Sequence, residues 1–279
     1  MEVQSEIMLK WIIGFLIVGV VGCSTGGGEG WVVGSVNVDT CNAKKYVEQD
    51  FDLKIDFFAG DLLIDSSNSP NTRRDSLTIR LQPTSNTMEQ SDGLLIELHD
   101  LVAIAQQFAE GKAIPVSIDD SSLVHSQLHL FSTCPDNGAP LCASNEVFVS
   151  DASGECLQPN GEEKPACPEI SPADEDDLER LCRGEFDQNT TENSAQINGL
   201  LGGGACLYMC ELGLAQRGQD PAQLENFEMD YGKMISAIFS FNLVDARAIE
   251  LGTCSRGFAQ LNGMFRFKLS RSRVAQAFP

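Results

Sequence analysis

Apolar and polar residues alternate with a period of two in two separate parts of this chain, and this constrains the fold most. In Phe51-Asp-Leu-Lys-Ile-Asp-Phe57, Phe51, Leu53, Ile55 and Phe57 share one face while Asp52, Lys54 and Asp56 share the other. That is the signature of a half-buried antiparallel strand. Ala59-Gly60-Asp61 is expected to turn the chain into Leu62-Leu63-Ile64. Leu77 to Leu81 and Leu94 to Leu98 repeat the alternation, and Trp31 to Val38 is expected to open the sheet. Val102 to Glu110 reads as a short helix before Pro115. The pattern then returns in the last fifty residues. Phe227, Met229 and Tyr231 alternate with Glu228 and Asp230, and Gly232 turns the chain into Ile235, Ala237, Phe239, Phe241 and Leu243. Phe265, Phe267 and Leu269 follow, and Val274 to Phe278 offers a last edge. Strands with one apolar face at both ends of a chain predict two antiparallel sheets packed face to face. The expected class is all-β: an antiparallel β-sandwich with a cysteine-rich, partly helical insertion at about residues 134–220.

The insertion has a different grammar. Ser171-Pro172-Ala-Asp174 predicts a helix start, with Ser171 as N-cap, Pro172 at the first position and Asp174 to Asp177 complementing the dipole. Gly184 would end it, after Arg180 and Arg183. A second helix is expected from Ala205 to Arg217, closed by Gly218, and residues 135–170 read as loop. Cys206 and Cys210 would lie one turn apart on that helix, so each is expected to bridge to another segment. Nine cysteines stand beyond residue 23: Cys41, Cys134, Cys142, Cys156, Cys167, Cys182, Cys206, Cys210 and Cys254. Their spacings never give the paired C-x₂-C of a zinc ribbon, and disulfides are expected in an exported chain. Four bridges would leave one thiol over. Cys41 and Cys254 are placed to join the first and last parts of the fold, with the connectivity open.

Export is expected from the beginning of the chain. Trp11 to Val21 is apolar or glycine throughout, follows Lys10, and ends in Val20-Val21-Gly22-Cys23. A basic start, a short apolar stretch and a small residue before the cut form a secretory signal; a spanning helix needs roughly 20 apolar residues. The last four residues resemble the lipobox of bacterial lipoproteins. The resemblance covers residues 8–24 and matches the remainder of the chain to no family. It implies a lipid on the Cys23 thiol, cleavage of the Gly22–Cys23 bond, and acylation of the new amine. One acyl chain holds a membrane marginally, whereas two or more hold it durably. Glu2 and Glu6 depart from a basic start, and Met8 would give the simpler opening Met-Leu-Lys. Ser24 after the cysteine implies sorting to the outer membrane. Residues 1–22 are thus expected as signal peptide, 23–30 as anchor and short glycine-rich tether, and 31–279 as the folded domain.

Charge then narrows the partners. Without residues 1–22 the chain keeps 18 basic and 38 acidic residues, a formal charge of −20. Such acidity argues against nucleic acid and against a grip on anionic headgroups, so the lipid must supply attachment. Residues 135–231 hold 20 acids and 4 bases, whereas 247–279 hold six bases against Glu250 alone. A basic terminal segment beside an acidic insertion is one arrangement that would follow.

No catalytic constellation stands out. The histidines are His99, His125 and His129. In a strand, His125, Gln127 and His129 would share the face opposite Val124, Leu128 and Leu130; as metal ligands they would need a third group that the sequence does not locate, so they are expected to face solvent. The run Asp174 to Asp177 opens a helix rather than a calcium loop. Gly202-Gly203-Gly204 lacks the Gly-Lys-Ser/Thr ending of a phosphate loop. Neither G-x-S-x-G nor H-E-x-x-H occurs, and Asn189-Thr190-Thr191 is read as an ordinary surface segment. No metal or cofactor is expected. The chain is read as a lipid-anchored envelope protein that binds another envelope protein or a glycan, with the acidic insertion as its partner surface. The alternative is a carbohydrate-active hydrolase using paired carboxylates.

Overall fold

The structure, a computed structural model, describes residues 27–39, 46–65, 74–83, 92–133, 143–150, 167–171, 174–184, 190–250 and 257–271. Cys23, Gly22, Cys41, Cys134, Cys142, Cys156 and Cys254 lie outside these residues, as do the signal segment, Pro172, Asn189 and Val274 to Phe278.

The all-β reading holds. Among the described residues eleven strands occur in chain order: β1 (Gly28–Asp39), β2 (Tyr46–Lys54), β3 (Phe57–Leu63), β4 (Ser76–Gln82), β5 (Gly93–Leu98), β6 (Ile114–Pro115), β7 (Val124–Thr133), β8 (Ala143–Ser150), β9 (Cys206–Leu212), β10 (Met234–Asp245) and β11 (Phe258–Lys268). Among the described residues they are accompanied by the α-helices α1 (Leu101–Ala109), α2 (Glu175–Cys182), α3 (Thr190–Leu200) and α4 (Ala246–Glu250). The strands form one hydrogen-bonded sheet in the order β2-β1-β11-β10-β8-β7-β5-β4-β3. Strand β10 is where it branches: Ile235 to Ser240 pair with β9, and Leu243 to Asp245 pair with β8. The sheet curls so that Phe58 of β3, at one end of the order, stacks on Phe267 of β11 with ring centroids 5.7 Å apart. The opposed layers expected of a sandwich are therefore the two arms of one curled sheet.

A single cluster fills the curl. It takes Val32 and Val36 from one arm, Leu77, Ile79, Leu94 and Ile96 from the other, and Phe239, Phe241 and Phe265 between them. Helix α1 adds Leu101, Ile104 and Phe108 to this core, as the alternation of its apolar residues at helical spacing requires. Glycine admits two close approaches here. A side chain at Gly34 of β1 would run into the Gln260 carbonyl of β11, and one at Gly60 of β3 would run into Leu269.

Several local expectations change. Residues Ala59 to Asp61 lie inside β3 rather than in a turn, because Gly60 serves close packing against Leu269 and Phe267. Beyond Ile55 the alternation slips by one residue, so that Phe58 is inward and Phe57 is partly exposed. Phe227 and Met229 are buried while Glu228 and Asp230 are exposed, yet this stretch has no ladder partner in the described sheet. Strand β8 stands where a loop was expected; it pairs with β7 along its length and with the end of β10.

The expected helix from Ala205 to Arg217 is β9 instead. Its apolar run, Cys206-Leu-Tyr-Met-Cys210, has no period that separates a short helix from a doubly covered strand. Both its faces are covered: Leu207 and Met209 join the main core, whereas Cys206 and Tyr208 join a second cluster. That second cluster lies on the outer face of β9, β10, β11 and β1, under α2 and α3, and includes Leu178, Leu181, Ile197, Leu201, Ile238 and Met264. It explains why Ser236 and Ser240, polar positions of β10, are buried. Helix α2 begins at Glu175 with Asp174 before it, and Ser171 donates from its hydroxyl to the Asp174 carboxylate at 2.6 Å instead of capping the helix. Gly184, at φ +71°, terminates it as expected.

Two disulfides fasten this layer to β9: Cys167–Cys206 and Cys182–Cys210, with Cα separations of 5.8 and 5.3 Å. Both cysteines of β9 bridge to other segments, as expected, although from a strand.

Candidate functional site

The β5–β7 ladder brings together the one cluster of metal-ligating side chains found among the described residues. Glu97 of β5 stands directly opposite His125 of β7, and opposed residues of an antiparallel pair project to the same face. His99 is two residues beyond Glu97, hence on that face again. Its amide donates to the Leu123 carbonyl at 2.8 Å, which carries the ladder one step further and sets His99 diagonally beside His125. The next residue, Asp100, has φ 60° and caps α1 by accepting from the Ala103 amide; aspartate tolerates that left-handed conformation better than most residues. The strand thus stops at His99, whose ring is left at the sheet's end.

The two rings meet edge to face with centroids 4.4 Å apart, and His99 Nε2 lies 3.2 Å from His125 Nδ1. The other nitrogen of His125, Nε2, is 3.0 Å from the carbonyl oxygen of Asp119. A carbonyl only accepts, so His125 carries its proton on Nε2 and turns the lone pair of Nδ1 towards His99. One ligand atom from each of Glu97, His99 and His125 falls within 4.8 Å of the others, and all three residues are half-buried. Burial, then the neighbouring His125, pulls the His99 pKa down, with Glu97 opposing. The arrangement offers two nitrogens and a carboxylate on one half-shielded patch, a donor set suited to a borderline divalent ion.

His125, Gln127 and His129 do share a face of β7, but His129 stands apart from this cluster. Its Nε2 pairs with Gln127 Oε1 at 3.3 Å. Burial, with the buried Arg80 guanidinium adding to it, pushes its pKa down to about 4. A histidine that stays neutral in the fold while its unfolded counterpart protonates near 6.5 contributes stability above that pH. This stability should drain away between about pH 6.5 and 4 and level off below. Allowing for partial exposure, the change is about 1–2 kcal/mol. Urea unfolding at pH 7 and 4.5 checks this: His129→Gln should show the shallower loss, and equal slopes for the two proteins would refute it.

A second feature is an open groove of about 880 Å³ between α2, the end of β9 and the turn before β10. Arg183, Arg217, Lys233 and Arg266 line it with Glu179 and Glu211. Arg266 of β11 grips Glu211 of β9 with two hydrogen bonds, 2.9 and 3.3 Å, and approaches Glu29 of β1 at 3.6 Å. Arg217 lies over the Tyr208 ring at 4.8 Å. The pairing of a basic residue near the C-terminal end with an acid at the edge of the insertion matches the charge asymmetry of the sequence at this one bridge.

The acidic run Asp174 to Asp177 sits at the start of α2, where its carboxylates complement the helix dipole. Gly202 and Gly203 have φ of +67° and +70° and close α3 ahead of a strand, not a helix. Sequence reasoning singled out His125 but missed Glu97 and His99 as its neighbours. The available signal was the Glu-x-His spacing of residues 97 and 99, which places both on one face of a strand.

No protein-family model matches this chain, and no curated protein or solved structure matches it.

Proposed function

We propose that this protein is a lipid-anchored component of the bacterial cell envelope, sorted to the outer membrane, whose folded domain binds another envelope protein or a glycan. The observation that carries this reading is Val20-Val21-Gly22-Cys23 at the end of a short apolar stretch, because such a stretch is a signal and not a span. No helix among the described residues is long and apolar enough to cross a membrane. The acidic body gains nothing from anionic headgroups, so acyl chains at Cys23 are its means of attachment. The binding surface is the insertion and its groove. Two disulfides tie Cys167 and the end of α2 to β9, and a cross-linked, charge-lined groove loses little conformational entropy when a partner docks.

The anchor is tested by growing cells on labelled palmitate. The wild-type chain should take up label and fractionate with membranes, whereas Cys23→Ser should take up none and leave the membrane fraction. A wild-type chain without label, or a Cys23→Ser chain still wholly membrane-bound, refutes the anchor. Charge reversal at Arg183 and Lys233, compared with wild type in envelope cross-linking, tests the groove. Unchanged cross-links with an intact anchor would move the partner surface elsewhere.

A further inference from the structure

The geometry points to a divalent transition-metal site, of the zinc type, built by Glu97, His99 and His125 on the outer face of the β5–β7 ladder. It goes beyond the envelope-binding reading and does not rest on it.

Three independent features converge. The first is spacing. Zinc–nitrogen bonds of 2.0–2.1 Å at tetrahedral angles set two ligating nitrogens about 3.3–3.4 Å apart, and His99 Nε2 and His125 Nδ1 are 3.2 Å apart. Inserting the ion therefore requires the rings to pivot about it and not to separate. A hydrogen bond between two imidazoles produces a similar spacing, so spacing alone does not distinguish the two.

The second feature is the orientation of His125. A histidine ligand typically donates its remote N–H to a carbonyl or carboxylate, which fixes the tautomer and orients the ring. His125 has that partner already, in the Asp119 carbonyl at 3.0 Å from Nε2. This leaves Nδ1, the nitrogen that faces His99, as the ligand atom. For His99 to bind through Nε2, its proton moves to Nδ1, a tautomer exchange that releases no net proton.

The third is the carboxylate. Glu97 is fixed opposite His125 by register, and one of its carboxylate oxygens lies within 4.8 Å of a ring nitrogen of each histidine. A change of side-chain torsion closes that gap, since the backbone positions are already those of a cross-strand pair. A carboxylate also offsets the charge of the ion in a half-buried setting, where a lone dication would be poorly solvated. Two histidines and a glutamate leave one vertex of a tetrahedron for water, the arrangement of sites with an open position rather than a closed structural site. Ligands reach that vertex from solvent, because the three residues are only half-buried.

The test is Zn²⁺ titration of the full chain in detergent, followed by chelator competition and by the visible spectrum of the Co²⁺-substituted protein. One Zn²⁺ per chain is expected, with a four-coordinate Co²⁺ spectrum that lacks thiolate charge-transfer bands. Loss of an outer partner alone commonly costs about 10–100-fold in affinity, so His125→Gln and His99→Gln should each weaken Zn²⁺ by at least ~100-fold. Glu97→Gln, which disturbs the fold least, should weaken it too, and the melting temperature of each variant without metal shows that it is folded. A wild-type chain that takes up no Zn²⁺ up to roughly 100 µM overturns the site. So does uptake that the Glu97 and histidine variants leave unchanged, or Co²⁺ bands that report cysteine ligands instead.

Discussion

Phe239→Ala should cost the fold about 3–5 kcal/mol. Phe239 is wholly buried on β10, stacks on Phe241 with ring centroids 4.4 Å apart, and lies 6.4 Å from Phe265 on the neighbouring strand. Those rings occupy the space between the two arms of the curled sheet, where residues of β1, β4, β5 and α1 also meet. Truncation removes apolar surface that no neighbour can replace, because the backbones around it are pinned in ladders on both sides of β10. The loss is a large fraction of the 5–15 kcal/mol typical of a whole domain. Urea unfolding should show a lower midpoint with an unchanged slope. Leu63→Ala, at an exposed position of β3 (69%), should shift it by less than about 0.5 kcal/mol. Equal, small effects at both positions would mean that the arms do not share a core.

Removal of the disulfides is the second large effect. Cys182–Cys210 closes a loop of 28 residues and Cys167–Cys206 one of 39. Chain-entropy arguments give about 3.5 and 4 kcal/mol respectively for loops of these lengths. The loops interlock, since residues 182–206 belong to both, so each bridge already restricts part of what the other restricts. Cys182→Ala/Cys210→Ala and Cys167→Ala/Cys206→Ala should each lower the unfolding free energy by about 3–4 kcal/mol, and the quadruple variant by less than the sum. The second cluster should respond most. It is small, it holds α2 and α3 through a handful of apolar side chains, and hydrogen exchange in α2 should rise before that in β10. Exchange that rises equally in both would show that the layer unfolds only with the sheet.

The residues that were easy to read are those whose burial has one cause. Leu77 to Leu81, Leu94 to Leu98 and Phe265 to Leu269 each pack one face on the curl's interior, and a period of two reports this directly. Positions covered twice were misread. In β9, Leu207 and Met209 face the main core while Cys206 and Tyr208 face the second cluster under α2 and α3, so the run shows no alternation and passes for a helix. Helix α3 escaped for the opposite reason: it contributes Ile197 and Leu200, with Leu201 just past its end, to a packed face, too few to mark a stripe on a mostly polar segment. The candidate site was half legible. His125 was recognisable as a ligand type on a strand, but its partners are Glu97 in β5 and His99 just past it, the latter 26 residues earlier. Sequence spacing carries no information about which strands become neighbours.

The chain's own order of residues determined the all-β class, the apolar faces of the outer strands, the helix before Pro115 and the dipole-matched start of α2, because each follows from interactions within a few residues. Tertiary structure alone decided that a single sheet curls into both layers, that β10 divides between β8 and β9, and which cysteines join. It alone set Glu97, His99 and His125 on one patch, because a ladder's register is chosen by the total apolar area that two strands and everything behind them can bury together, a sum over the whole molecule that no local window contains.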